Sequence, residues 1–243
     1  MINKKHWFIL FFLISFLFSN TNIPASDSDS LKELLKTKLP DTTRVTVLNA
    51  LSKSYFNVAP DTSVKIANSS KELAEKINFK PGLALALKNM GIAYYLQGNY
   101  IDAINTWQKA LEVYKSNGDK VGVANMLSNQ GAVYFNQGDD DKSLELHLQS
   151  LKMSEDVNDT LRIVTSLTNI GAIYLNKSAT YKKAIDNFKR AYTLSKLIDD
   201  KYMIGTSAVN LGELYYRLND DSTAMVYLNE AQKAYAGTED LPY

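Results

Sequence analysis

A chain of 243 residues with 45% hydrophobic and 22% charged side chains has the composition of a folded globular protein, not of a disordered one. Its 27 basic and 26 acidic side chains leave a formal net charge of +1, too small for a long-range field that would gather nucleic acid or anionic lipid. The absence of cysteine excludes disulfides, thiolate catalysis, iron–sulfur clusters and the usual structural zinc sites, so stability has to come from packing.

At the start of the chain, Lys4, Lys5 and His6 precede an apolar stretch from Trp7 to Phe18 that only Ser15 interrupts. This is the pattern of a secretory signal peptide. The stretch is short of the roughly 20 apolar residues that span a bilayer, and Ser19, Asn20, Thr21 and Asn22 close it. Residues 1–25 read as the signal, with cleavage expected after Ala25 and the mature chain expected in the periplasm or secreted from a bacterium. Retention as an N-terminal membrane anchor is the alternative. No cysteine follows the apolar stretch, which excludes a lipoprotein anchor, and no later segment resembles a second membrane span.

Residues 26–41 read as a flexible leader, Ser26 to Ser30, followed by a short capping helix that carries Leu31, Leu34, Leu35 and Leu39. Residues 42–83 follow as a degenerate helix hairpin. Leu48, Leu51 and Tyr55 keep a helical period in its first arm, Ser63, Ala67 and Ser70 in its second, and Ser52 is assigned to the place where later copies have glycine.

From residue 84 the chain repeats itself. Asn89-Met90-Gly91-Ile92-Ala93-Tyr94 returns as Asn129-Gln130-Gly131-Ala132-Val133-Tyr134, as Asn169-Ile170-Gly171-Ala172-Ile173-Tyr174 and as Asn210-Leu211-Gly212-Glu213-Leu214-Tyr215, with the glycines 40, 40 and 41 residues apart. Gly118-Asp119-Lys120, Asn158-Asp159-Thr160 and Asp199-Asp200-Lys201 repeat in a second phase, which places four units at about 84–123, 124–163, 164–204 and 205–236, followed by a short tail to Tyr243. Leu83, Leu87, Met90, Ala93 and Tyr94 recur at three and four positions, as one face of an amphipathic helix does.

A turn follows each such helix, Gly98-Asn99 or Gly138-Asp139, in which glycine accepts a left-handed backbone and the next side chain can cap a second helix. The second helices carry Ala103, Trp107 and Ala110; Ser143, His147 and Ser150; Ala184, Phe188 and Ala191; and Ala224, Leu228 and Ala231. Small, large, small is a packing code: two helix backbones approach closely only where one presents glycine or alanine, and the large side chain fills the space beyond. The turn Asn176 to Thr180 has gained a residue and lost its glycine, so the third hairpin is expected to open slightly there. Gly237 to Tyr243 cannot supply the polar capping helix such stacks need.

These motifs resemble the tetratricopeptide repeat, whose signature has glycine, tyrosine three residues later, then alanine, aromatic and alanine on the second helix. The resemblance covers roughly residues 84–236. Its units of 40 residues exceed the usual repeat of about 34 and are similar to those of kinesin light chains and bacterial peptide-sensing regulators. It implies an all-α, right-handed α-solenoid of about four clear repeats plus one degenerate N-terminal repeat.

In such a stack the first helices line a concave groove, where binding is expected. Asn89, Asn129, Asn169 and Asn210 would form a ladder of carboxamides along it, each able to pair with both the N–H and the C=O of a bound peptide. The resemblance implies the same role, because related grooves hold extended peptides with asparagines at this position. The other reading is that these amides bond between neighbouring helices and satisfy buried groups. Lys88, Tyr95, Ser128, Asn136, Thr168, Asn176, Glu213 and Arg217 are expected on the same wall. Only Lys88 and Arg217 among them are cationic, which argues against selection of acidic tails.

Catalytic and metal chemistry find no carrier. His6 lies in the signal, and His147 takes a large core position, where packing explains it better than a base or a ligand. Asp139-Asp140-Asp141 lacks the glycine and distal glutamate of a calcium loop and reads as a helix cap. The Asn-x-Gly triplets fall inside helices, not in phosphate loops. The 15 tyrosines include Tyr94, Tyr134, Tyr174 and Tyr215 at repeat core positions and are expected to pack.

The expected function is therefore that of an exported, non-catalytic scaffold without cofactors or metals. Its expected partner is a peptide or protein, not nucleic acid, with no membrane span once the signal is removed, and the uncapped C-terminal repeat is a surface for self-association. The alternative is the extracytoplasmic sensor portion of a histidine kinase or transcription regulator whose C-terminal part is absent from this chain.

Overall fold

A computed structural model describes residues 25–236; the apolar leader and the tail beyond Ala236 lie outside the described residues. Among the described residues the chain forms eleven α-helices and no strand: α1 Ala25–Lys36, α2 Asp41–Ser54, α3 Pro60–Lys76, α4 Lys80–Leu96, α5 Tyr100–Ser116, α6 Lys120–Asn136, α7 Asp140–Asp156, α8 Thr160–Tyr174, α9 Tyr181–Leu197, α10 Lys201–Arg217 and α11 Asp221–Ala236. They fall into two compact units that meet between Val133 and Tyr134, inside α6. In the first unit α1 packs on α2, α2 on α3, α3 on α4 and α4 on α5; in the second, α7 packs on α8, α8 on α9, α9 on α10 and α10 on α11.

Helix α1 includes the Ser26–Ser30 run expected to be a leader. Ion pairs one turn apart, Lys32 with Asp29 at 2.8 Å and Lys36 with Glu33 at 2.6 Å, support a helix there. Its last carbonyls are taken by Arg44 of α2, whose guanidinium donates to Leu35 O at 3.1 Å and Thr37 O at 3.0 Å.

In the degenerate hairpin α2–α3, Ser52 holds the glycine place: its hydroxyl lies 3.1 Å from Ser63 O and 3.0 Å from Ser63 Oγ, as a β-carbon on Gly212 would lie 3.3 Å from Ala224 O in its own hairpin. Ala67 stands where the other hairpins have the large side chain, and both Ser52 and Ala67 are fully buried. Asn89 Nδ2 donates to Asn49 O at 2.9 Å, from α4 to α2.

In hairpin α4–α5 a β-carbon built on Gly91 would lie 2.3 Å from Trp107 Nε1, and in α8–α9 one on Gly171 would lie 2.5 Å from the Phe188 ring. Trp107, His147 and Phe188 are fully buried. Leu228, at the same place on α11, is 40% exposed. In the second unit Phe188 and Ala184 share a cluster with Leu175, Leu211 and Leu214, so α10 seals the hairpin before it.

One turn design serves most junctions. A residue in the left-handed region (Gly98, Gly118, Gly138, Asn158, Asp199 or Asn219, with φ from 52° to 80°) is followed by an asparagine or aspartate at the next helix N-terminus. Asp139 accepts from Lys142 N at 3.0 Å, Asp159 from Arg162 N at 3.1 Å, Asp200 from Met203 N at 2.9 Å and Asp220 from Thr223 N at 3.1 Å. These bonds satisfy amides the helix itself leaves free. Changing Asp159 to Ala is expected to remove about 1 kcal/mol of stability, measurable as a lowered urea midpoint with an unchanged slope.

The third hairpin stays closed, contrary to expectation. A single 3-10 turn, Ser178–Thr180, absorbs the extra residue, and Thr180 Oγ1 donates to Tyr174 O at 2.5 Å. Ala184 and Phe188 beneath it are fully buried.

Candidate functional site

The first helices of each unit, α2, α4 and α6 in one and α8 and α10 in the other, carry the asparagine positions. Within each unit first helices touch directly, α2 against α4 and α8 against α10. The asparagines do not behave alike. Asn89 is buried and spends its amide N–H on Asn49 O, and Asn49 spends its own on Gly82 O at 3.0 Å. In α2–α4 the carboxamide thus links neighbouring helices, as the second reading of the ladder anticipates. Asn129 is half-buried and Asn210 is 7% exposed; the side chain of neither makes a hydrogen bond with another described residue. Asn169 is buried.

The other wall candidates divide in the same way. Tyr95 is not on an open wall: it is 5% exposed, with its ring 5.6 Å from Tyr100 and 6.1 Å from Trp107, because its place in the helix turns it toward α5. Lys88, Ser128 and Asn136 are half-buried, and the Lys88 carbonyl accepts from Trp107 Nε1 at 3.1 Å. Thr168 donates its hydroxyl to Val164 O of its own helix at 2.9 Å. Asn176 lies in the turn after α8, exposed, and donates to Asp140 Oδ1 at 3.2 Å. Glu213 and Arg217 pair with each other at 2.5 Å, one turn apart on α10. The pair, with Tyr181 beside the guanidinium, offers little net charge.

Two residues were missed by the sequence reading. Asn49 gave no signal because its bonds, from Asn89 and to Gly82 O, are made across helices; Tyr216, 67% exposed on α10, gave none because its counterparts Tyr95 and Leu175 are buried.

His147 and Asp139 have places in the packing and capping of α7, and His6 lies outside the described residues. Burial alone pushes the His147 imidazole down to about 3, so it is neutral in the fold at physiological pH. Asp139 caps α7 through its bond from Lys142 N. Tyr174 and Tyr215 pack against the Phe188 cluster, and Tyr215 stacks on Tyr227 with centroids 5.7 Å apart. Among the described residues no helix is long and apolar enough to cross a membrane.

Consecutive helix hairpins joined by one turn design and locked by a glycine-and-large-side-chain contact define an α-solenoid repeat protein. Tetratricopeptide-repeat profiles match residues 84–117, 122–196 and 162–236. The chain belongs to the tetratricopeptide-repeat family. No curated protein sequence matches it significantly.

Solved structures carry the same fold at low identity. BtubC (BKLC) from P. vanneervenii superposes with a TM-score of 0.71 at 15% identity, over 89% of this chain and 91% of that one. Nearly identical TPR-like repeats of a Podosopora anserina protein described as a kinesin light chain give 0.63 at 12%, over 82% and 98%. A Rap protein complexed with Competence and Sporulation Factor gives 0.69 at 14%, over 86% and 70%.

Proposed function

We propose that this chain is an exported, non-catalytic binding module that takes up a peptide or an extended segment of a partner protein on its first-helix faces. The observation that carries the reading is the contrast among the asparagines. A buried or half-buried carboxamide normally finds a partner; Asn49 and Asn89 find theirs in neighbouring backbone, whereas the side chains of Asn129 and Asn210 make no hydrogen bond with any described residue. Each keeps a donor and an acceptor for a bound backbone, whose recognition then does not depend on the ligand's side chains. The charged groups Glu213 and Arg217 neutralise each other, which favours an uncharged peptide backbone as the element bound. A Rap conjugation gene regulator with this fold, of the plasmid pLS20, was solved in complex with the Phr* peptide, which supports a peptide ligand.

A peptide array probed with the mature chain tests this. Asn129→Ala and Asn210→Ala are each expected to weaken capture about tenfold, the effect of losing roughly 1.4 kcal/mol of hydrogen bonding to the ligand. Asn89→Ala should lower stability and leave capture by the remaining folded protein unchanged. Equal loss from all three would assign the amides to the scaffold and remove the binding role. Export rests on Lys4 to Phe18. Mass spectrometry of the product from cell fractions is expected to find a chain beginning after Ala25 outside the cytoplasm, and full-length protein confined to the cytoplasm would overturn that part. The sensor alternative is separated from this reading by the coding sequence that follows Tyr243.

A further inference from the structure

The second helices of the 134–236 unit have a charge pattern that neither packing nor the first-helix faces use. Helix α9 carries five cations, Lys182, Lys183, Lys189, Arg190 and Lys196, against the single carboxylate of Asp186, in a chain whose totals are 27 and 26. Ala184, Phe188, Ala191 and Ser195 mark its buried side, and the five cations are all exposed. At 100° per residue they line the side opposite the buried stripe, about 21 Å along the axis. Among the described residues Lys182, Lys183, Lys189 and Lys196 ion-pair with no carboxylate, whereas Lys115, Lys142, Lys201 and Lys233 do so on other helices.

Three of the four are held over aromatic faces: Lys183 lies 5.2 Å from the Tyr174 centroid, Lys189 5.7 Å from Tyr215 and Lys196 5.3 Å from Tyr192. Such contacts order an ammonium group without cancelling its charge.

Carboxylates bound the stripe on both sides. Arg190 pairs with Glu155 of α7 at 2.6 Å, and Tyr192 donates to Glu230 of α11 at 3.1 Å. Helix α7 itself has five acidic residues against two lysines. A broad polyanion, whether duplex nucleic acid or a lipid surface, would press its phosphates against these acidic flanks. A single acidic strand or helix would not. Leu197, 77% exposed at the end of the stripe, adds an apolar contact beside Lys196.

We propose that the outer face of α9 docks an acidic polypeptide segment, one chain wide, with an apolar side chain at the end that meets Leu197. This surface is separate from the first-helix faces, and either can fail without the other.

Fluorescence anisotropy of a labelled ten-residue polyglutamate peptide ending in leucine, titrated with the full chain, tests the proposal. Binding is expected at low ionic strength and should weaken about tenfold or more as salt rises to 0.3 M. Lys182→Glu with Lys196→Glu should abolish binding while the helical circular dichroism is unchanged. Asp186→Lys, a gain that misfolding cannot imitate, should tighten binding about threefold or more. The proposal is overturned if the native chain does not bind, if the charge reversal or Asp186→Lys leaves affinity unchanged, or if single-stranded DNA or anionic vesicles compete as well as the unlabelled peptide.

Discussion

Trp107→Ala is expected to destabilise the 25–133 unit by about 3–5 kcal/mol, the range for emptying a large aromatic site in a packed core. Trp107 is fully buried, lies directly on Gly91 and donates its indole N–H to Lys88 O. Truncation therefore removes apolar burial, leaves a cavity and takes from the Lys88 carbonyl the donor it has beyond its own helix, all at once. Gly91→Leu should be comparably damaging from the opposite direction, since even a β-carbon at Gly91 would lie 2.3 Å from the indole nitrogen.

The two changes together should cost much less than the sum of the two alone. Leucine at the one place returns apolar volume to the space that the truncation at the other vacates. Urea denaturation of the two single variants and the double variant closes the cycle. Additive losses would show that the glycine-and-tryptophan contact is not the unit of packing between paired helices.

Acid sensitivity through His147 is the second large effect. In the unfolded chain its imidazole titrates near 6.5; in the fold, burial lowers it to about 3. Above pH 6.5 the residue is neutral in both states and adds no slope. As pH falls from 6.5 toward 3 the unfolded chain takes up a proton that the fold refuses, so stability declines by about 1.4 kcal/mol per pH unit. Roughly 2 kcal/mol is expected to be lost from this residue by pH 5, and the decline levels off below about pH 3. His147→Phe, which copies Phe188 in the next hairpin, should remove this slope, and His147→Gln should do the same with less added bulk. Urea midpoints at pH 7.5 and 5 measure it, and parallel losses in native and variant proteins would sink the assignment.

The hairpins were legible because their determinants are local. Apolar spacing of three and four sets each helix face, a left-handed residue followed by aspartate or asparagine stops one helix and starts the next, and glycine recurring every forty residues marks where a large side chain must sit. His147 reads as core for the same reason: its neighbours Ser143 and Ser150 stand where other hairpins have alanine. Ser52 was legible in the same way, being small where its helix meets Ser63 O. Local pattern failed at Asn176 to Thr180, where the Thr180 hydroxyl closes a turn that lacks its glycine.

By itself, then, the sequence determined an all-helical repeat, its period, its turns and the pairing of small with large residues, all of which follow from contacts within a hairpin of forty residues. Tertiary structure alone decided which wall side chains remain available: Tyr95 turned into the core, Glu213 and Arg217 spent on each other, Asn89 spent on a neighbouring helix, Asn129 and Asn210 without a described partner. The physical reason is range. A helix face is fixed by residues three or four apart, but whether a carboxamide meets a carbonyl depends on the rotation and separation of two helices whose sequences lie forty residues apart, and an ångström in that separation makes or breaks the bond.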